Sequence, residues 1–289
     1  VQAQQKKEST LDRPAFHAFH GIESFMYSLQ TESGQTYIPI DSIGAIDINN
    51  GQVWDDPDIR VALPFPFYLL GVAIDSLDFD AGFGGVLGAI NNNSPMLGVL
   101  LVPIQTDLID RGFLFGMSRS SIKYRVDGTT PNRIMKFQWE NCGSFHEAAQ
   151  NTTLAEFVNL QMWLYEGRSI IEFRHGPQST TLTPAYWHWN WPGLQSGIRP
   201  KYLLNSDPGI FHLLTGSTAN PQLTNTMSSM NGMPENGMVY RLIPAEVSLD
   251  EVAPNAYAAI YPNPVIDAFQ VDSSFSNGTY QVFDFQGRL

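Results

Sequence analysis

The chain has 289 residues and a mass of 32.2 kDa, long enough to bury a sizeable core without help from a disulfide or a metal. Charged residues make up 15 % and aromatics 12 %, with 24 Gly and 19 Pro; this suits a turn-rich β protein and excludes a coiled coil, a long helical bundle and a wholly disordered chain. A formal charge of −12 repels a phosphate backbone, and no basic run interleaved with aromatics offsets it, so no nucleic-acid partner is expected.

Residues 1–35 read as a partly mobile N-terminal segment, polar as far as Asp12 and then rich in His and Phe from Phe16 to Phe25. Ala3-Gln4 resembles the small-residue end of a signal peptide, a hint of export. From residue 36 to 243, short apolar or alternating runs recur between Gly, Pro, Asn and Asp, which predicts an all-β fold: an antiparallel, jelly-roll-like β-sandwich. Residues 59–63 and 68–79 read as strands on either side of Pro64-Phe65-Pro66, and 98–104 is apolar enough to be buried on both faces. No stretch reaches the ~20 apolar residues of a membrane helix; 96–109 is interrupted by Pro103, Gln105 and Asp107.

The clearest region is a meander over 122–175. Ile122, Tyr124 and Val126 face one way and Lys123 and Arg125 the other, before a turn at Asp127-Gly128. Residues 133–140 alternate again through Met135, Phe137 and Trp139. Residues 159–165 and 169–175 flank Glu166-Gly167-Arg168, a tight hairpin whose Gly can take positive φ; its second strand turns Ile171 and Phe173 inward and Glu172 and Arg174 outward. A short helix is expected at 153–157, long loops over 205–234 and a last strand at 238–243. Residues 244–257 have the composition of an acidic linker, and 258–289 form a separate tail. The single cysteine, Cys142, excludes an intrachain disulfide and a thiolate cluster, and is expected to be buried.

Enzyme signatures mostly fail. His146-Glu147-Ala148-Ala149-Gln150 has Gln where a zinc-binding pair needs its second His. Gly116-Met117-Ser118-Arg119-Ser120 lacks the final Gly of a nucleophile elbow, and Gly82-Phe83-Gly84 is off dinucleotide spacing. No nucleotide cofactor is indicated. Glu140, Glu166 and Glu172 beside the meander are the candidate carboxylates for glycoside hydrolysis, which needs two at about 5–10 Å. Asp75, Asp78 and Asp80, and the turn Asp47-Ile48-Asn49-Asn50-Gly51, offer oxygen ligands for calcium without following the full loop pattern. The most unusual stretch, Tyr186-Trp187-His188-Trp189-Asn190-Trp191, holds three of the six tryptophans. If extended, it sets Trp187, Trp189 and Trp191 on one face at steps of about 6.6 Å, with Tyr186, His188 and Asn190 opposite. Such a strip suits stacking against sugar rings; the other reading is that the indoles fill the core.

Near the end, Tyr261-Pro262-Asn263-Pro264 follows the acidic linker and precedes Asp284-x-x-Gly287-Arg288. This resembles the C-terminal sorting domain of proteins exported by the type IX secretion system of Bacteroidetes bacteria. The resemblance implies a small Ig-like β-sandwich tail, here partial because the family pattern continues beyond Leu289, and an extracellular or outer cell-surface location with the secretion machinery as partner. Residues 132–141, 159–167 and 171–173, with the upstream Leu63-Pro64-Phe65-Pro66-Phe67-Tyr68, are similar to a β-sandwich module found ahead of such tails. The function expected is a secreted or surface binding protein with a polysaccharide or cell-wall glycan as ligand. The alternatives are a polysaccharide hydrolase using a Glu pair, and a structural or adhesive protein marked by an exposed apolar patch.

Overall fold

The computed structural model describes residues 27–79, 84–91, 98–180, 187, 193–201 and 211–245, and the backbone of 260–261 and 270–271. Alternating runs form two sheets that stack as a β-sandwich. The first carries, side by side, β1 (Tyr27–Glu32), β16 (Val239–Pro244), β11 (Ile171–His175), β10 (Val158–Tyr165), β9 (Ile134–Ser144), β8 (Ser121–Asp127) and β2 (Ile46–Asp47), with β7 (Leu108–Asp110) also paired to β9. The second runs β14 (Gln222–Thr224), β13 (His212–Ser217), β12 (Gly197–Pro200), β6 (Val99–Val102), β5 (Leu87–Ile90), β4 (Val72–Asp78) and β3 (Arg60–Leu69). There, β15 (Met230–Asn231) lies parallel to β13 while the other described pairings are antiparallel.

The meander forms in the expected order, β8 to β9 to β10 to β11, with Tyr124 opposite Phe137 and Met162 opposite Phe173. Gly167 takes φ 70° at the tip of the β10–β11 hairpin, a conformation that favours glycine. One face of these strands meets the second sheet: Phe67, Leu69, Ile74, Leu77 and Phe79 share a core with Met135, Phe137, Trp139, Met162 and Phe173. Each such burial contributes about 1.5–3 kcal/mol. Phe79 packs at 5.9 Å from the Trp139 ring, whose indole N–H donates to the Gly84 carbonyl at 2.8 Å. β6 is buried along its whole length and Cys142 is a free, buried thiol.

Several local expectations are corrected. Pro64-Phe65-Pro66 does not separate two strands. It lies inside β3, where the register jumps from Ala62 opposite Ser76 to Phe67 opposite Ile74. Four residues bulge against one, which an edge strand tolerates because prolines have no N–H to lose from the ladder. The helix, α1, spans Phe145–Asn151 and not 153–157. The Glu147 carboxylate accepts from the Thr153 hydroxyl and the Ala155 and Glu156 amides, so those residues satisfy their donors outside a helix. Residues 205–234 include β13, β14 and β15, and β1, in the stretch read as N-terminal segment, pairs with β16. Glu172 is on the outward side of β11 yet fully buried.

The chain divides into two compact units, Val1–Ala245 and Glu246–Leu289. In the second, β17 (Ile260–Tyr261) pairs antiparallel with β18 (Gln270–Val271). Among the described residues no helix is long and apolar enough to cross a membrane.

Candidate functional site

Of the aromatic strip, Trp187 lies within the described residues, where its backbone is helical and its side chain fully buried. Its indole N–H donates to the Glu156 carboxylate at 2.7 Å, the partner a buried Trp requires. Trp187 is therefore a core residue and not part of an extended, exposed face. Tyr186, His188, Trp189, Asn190 and Trp191 lie outside the described residues. So do Pro262, Asn263, Pro264, Asp284, Gly287 and Arg288 of the tail motif, while Tyr261 is in β17.

The three meander carboxylates are each engaged. Glu140 pairs with Lys123 at 2.7 Å and accepts from Ser121; burial works against its charge, but these two partners hold its pKa below the ordinary value. Glu166 accepts from the Arg133 guanidinium and amide, which lowers it to about 2. Glu172 pairs with Arg241 at 2.8 Å and with Arg174, and accepts from the Tyr165 hydroxyl. Glycoside hydrolysis needs one carboxyl kept protonated near neutral pH, and Glu140 and Glu166 are shifted the opposite way.

Asp75 and Asp78, three apart on β4, belong to opposite faces of the strand. Asp78 pairs with Arg60 at 3.0 Å and Asp75 accepts from Ser76; Asp80 lies outside the described residues. Asp75 borders a shallow groove of 410 Å³ left by the β3 bulge, lined otherwise mostly by apolar side chains.

Sequence reasoning passed over a different acidic group. Asp55 bridges to Ile109, and the Asp110 amide donates to the Trp54 carbonyl at 3.0 Å, so the loop before β3 is held along β7. This brings one carboxylate oxygen from each of Asp55, Asp56 and Asp107 within 4.8 Å of the others, a set able to hold a metal ion. Asp107 is 9 % exposed. Burial first, then the charges of Asp56 and Asp55, push its pKa up to about 7, and burial and Asp56 raise Asp55. The one signal in the sequence was an Asp inside a run that is otherwise buried.

Residues 26–244 match the domain family described as NIDO related, a span that includes both sheets of the sandwich. The chain belongs to the NIDO-related family. No curated protein and no solved structure matches it. The acidic group and the turn beyond β7 both lie inside the NIDO-related domain, and Tyr261 lies after it.

That turn is built around Asp110, which is fully buried. One carboxylate oxygen accepts from the amides of Gly112, Arg119 and Ser120, and the other from the Ser118 hydroxyl at 2.6 Å. Ser118 is thus a turn anchor. Gly112 is required because a Cβ there would sit 1.7 Å from the Met117 carbonyl oxygen. The closed turn of the NIDO-related domain displays Phe113, Leu114, Phe115 and Met117, which are 40 %, 41 %, 59 % and 64 % exposed. The exposed Arg119 guanidinium lies 4.3 Å over the Phe115 ring.

Proposed function

We propose that this NIDO-related protein is an exported, outer-surface binding protein of a Bacteroidetes cell, delivered by the type IX machinery and working by adhesion to a partner protein rather than by catalysis. The observation that carries the binding reading is the turn around Asp110. Four large apolar side chains stand in water on a loop that a buried carboxylate holds in shape, and contiguous exposed apolar patches mark interaction sites. Arg119 puts a positive charge on this patch, in a chain whose net charge is −12. The fitting partner surface is an apolar pocket rimmed by carboxylates. The engagement of Glu140, Glu166 and Glu172 by cations favours binding over hydrolysis.

Export is supported by Tyr261-Pro262-Asn263-Pro264 after the acidic linker, by Asp284-x-x-Gly287-Arg288, and by the separation of residues 246–289 as their own unit. The glycan reading needed three indoles on one face, and the burial of Trp187 removes one of them.

The test compares retention of the full chain and of a Phe113→Ser/Phe115→Ser variant on octyl-agarose, beside titration with soluble glycans read by tryptophan emission. The native chain is expected to be retained, the variant to pass through, and glycans to leave the emission unchanged. Equal retention of both proteins, or saturable binding of a glycan, would overturn the protein-partner reading.

A further inference from the structure

Among the described residues, the Asp107 Oδ1 atom is buried without a hydrogen-bond partner. A carboxylate shut away from water costs several kcal/mol unless a cation or donors compensate it. Other buried carboxylates of this sandwich have that compensation: Asp110 has three amides and a hydroxyl, Glu147 two amides and a hydroxyl, Glu172 two guanidinium groups. Around Asp107 the chain instead gathers more negative charge. Among the described residues no ion pair reaches Asp107, while Arg111, four residues on, donates to the Leu154 and Ala155 carbonyls and to Asn141.

We infer that Asp55, Asp56 and Asp107 form a binding site for a divalent cation, calcium by preference, which fastens the loop before β3 to the start of β7. Three oxygens no more than 4.8 Å apart all lie within about 2.8 Å of a common centre, so a cation that takes oxygens at about 2.3–2.6 Å, the calcium range, can reach all three. Calcium is preferred because it accepts about 6–8 oxygens in a flexible shell, whereas magnesium demands near-ideal octahedral geometry at about 2.0–2.1 Å and gives up its waters reluctantly. Three carboxylates supply up to six oxygens, and the exposed Asp56 leaves room for water to fill the remaining positions of a flexible shell. The inference is independent of the partner assigned to the apolar turn. It also moves the calcium site away from Asp75 and Asp78.

Trp54, buried and next in the chain to Asp55, is a built-in antenna for terbium. The full chain is titrated with Tb³⁺ under tryptophan excitation, then with Ca²⁺ as competitor, and its melting temperature is read in EDTA, in 10 mM Mg²⁺ and in 10 mM Ca²⁺. We expect saturable sensitised emission, displacement by Ca²⁺ with an affinity in about the 10⁻⁴–10⁻³ M range of extracellular sites, and a rise in Tm of about 3–8 °C with Ca²⁺ but not Mg²⁺. Asp107→Asn and, separately, the more exposed Asp55→Asn should each abolish both responses while the circular dichroism of the folded chain is retained. Emission or a calcium-dependent Tm shift that survives both substitutions places the ion elsewhere and overturns the inference, as does the absence of any Tm shift in the native chain.

Discussion

Glu172 and Asp107 are both buried carboxylates of one sandwich, and the chain surrounds them in opposite ways. Glu172 stands in a row of cross-strand neighbours that runs from Gln30 through Arg241, Glu172 and Trp163 to Lys136 and Arg125. Two guanidinium groups and the Tyr165 hydroxyl meet its oxygens, while Lys136 and Arg174 cover the Trp163 ring at 3.8 and 4.4 Å. Asp107 has two more acids beside it and an oxygen with no donor. A finished network specifies structure; an unfinished one, left at a cost in stability, marks a place where something else completes the charge.

The largest effect should come from breaking the finished network. Glu172→Ala strips Arg174 of its carboxylate and leaves Arg241 with Glu32 as its remaining carboxylate, at 2.9 Å, and losing one partner of a buried pair costs about 3–5 kcal/mol. Urea denaturation of the variant should show its midpoint falling with little change in slope. Restored stability when Arg174 is also replaced by Leu would confirm that the loss comes from a stranded cation. A cost below about 1 kcal/mol for Glu172→Ala alone would show that the row behaves like a surface ion pair.

Asp107→Asn should act with the opposite sign in metal-free buffer. The folded-state pKa of about 7 lies above the ordinary 3.8. Between those values the folded protein holds a proton that the unfolded chain has released, so the contribution of this group is fully present below about pH 4 and is lost as pH rises through 7. In EDTA the native chain should therefore weaken from pH 5 to pH 8, by about 1–3 kcal/mol. The Asn variant should show a flatter profile and be the more stable of the two at pH 8. Equal pH profiles would mean that Asp107 is compensated in solution.

How much of this was legible in the sequence follows the same division. Alternation exposed the meander, the Glu166-Gly167-Arg168 hairpin and the doubly buried β6 because strand period and turn chemistry are local. The β3 bulge was invisible because register is a property of two strands, and the helix was misplaced because Glu147 reaches forward to donors six to nine residues on. For the sites, the failure is one of distance along the chain. Trp187 finds its acceptor 31 residues away, and Asp107 meets Asp55 and Asp56 only because β7 pairs with the loop after Trp54. In Gly116-Met117-Ser118-Arg119-Ser120 the serine pattern is local and visible, whereas the exposure of Phe113, Leu114, Phe115 and Met117 depends on Asp110 closing the turn.

The smallest and most discriminating change is Asp55→Asn, read through Asp107. Burial is the first cause of the raised Asp107 pKa, followed by the charge of Asp56 and then that of Asp55. Removing the last contributor should move the Asp107 titration down only part of the way, leaving it well above 3.8, with a gain in metal-free stability at pH 8 of a few tenths of a kcal/mol, about the size of an exposed charge pair. Carboxyl ¹³C chemical shifts followed from pH 3 to pH 9 in EDTA would report the midpoint directly. A midpoint that returns to the ordinary carboxylate range would mean that charge rather than burial dominates. In that case Asp107 would resemble a surface acid among acids, and the contrast with Glu172 would rest on neighbours alone.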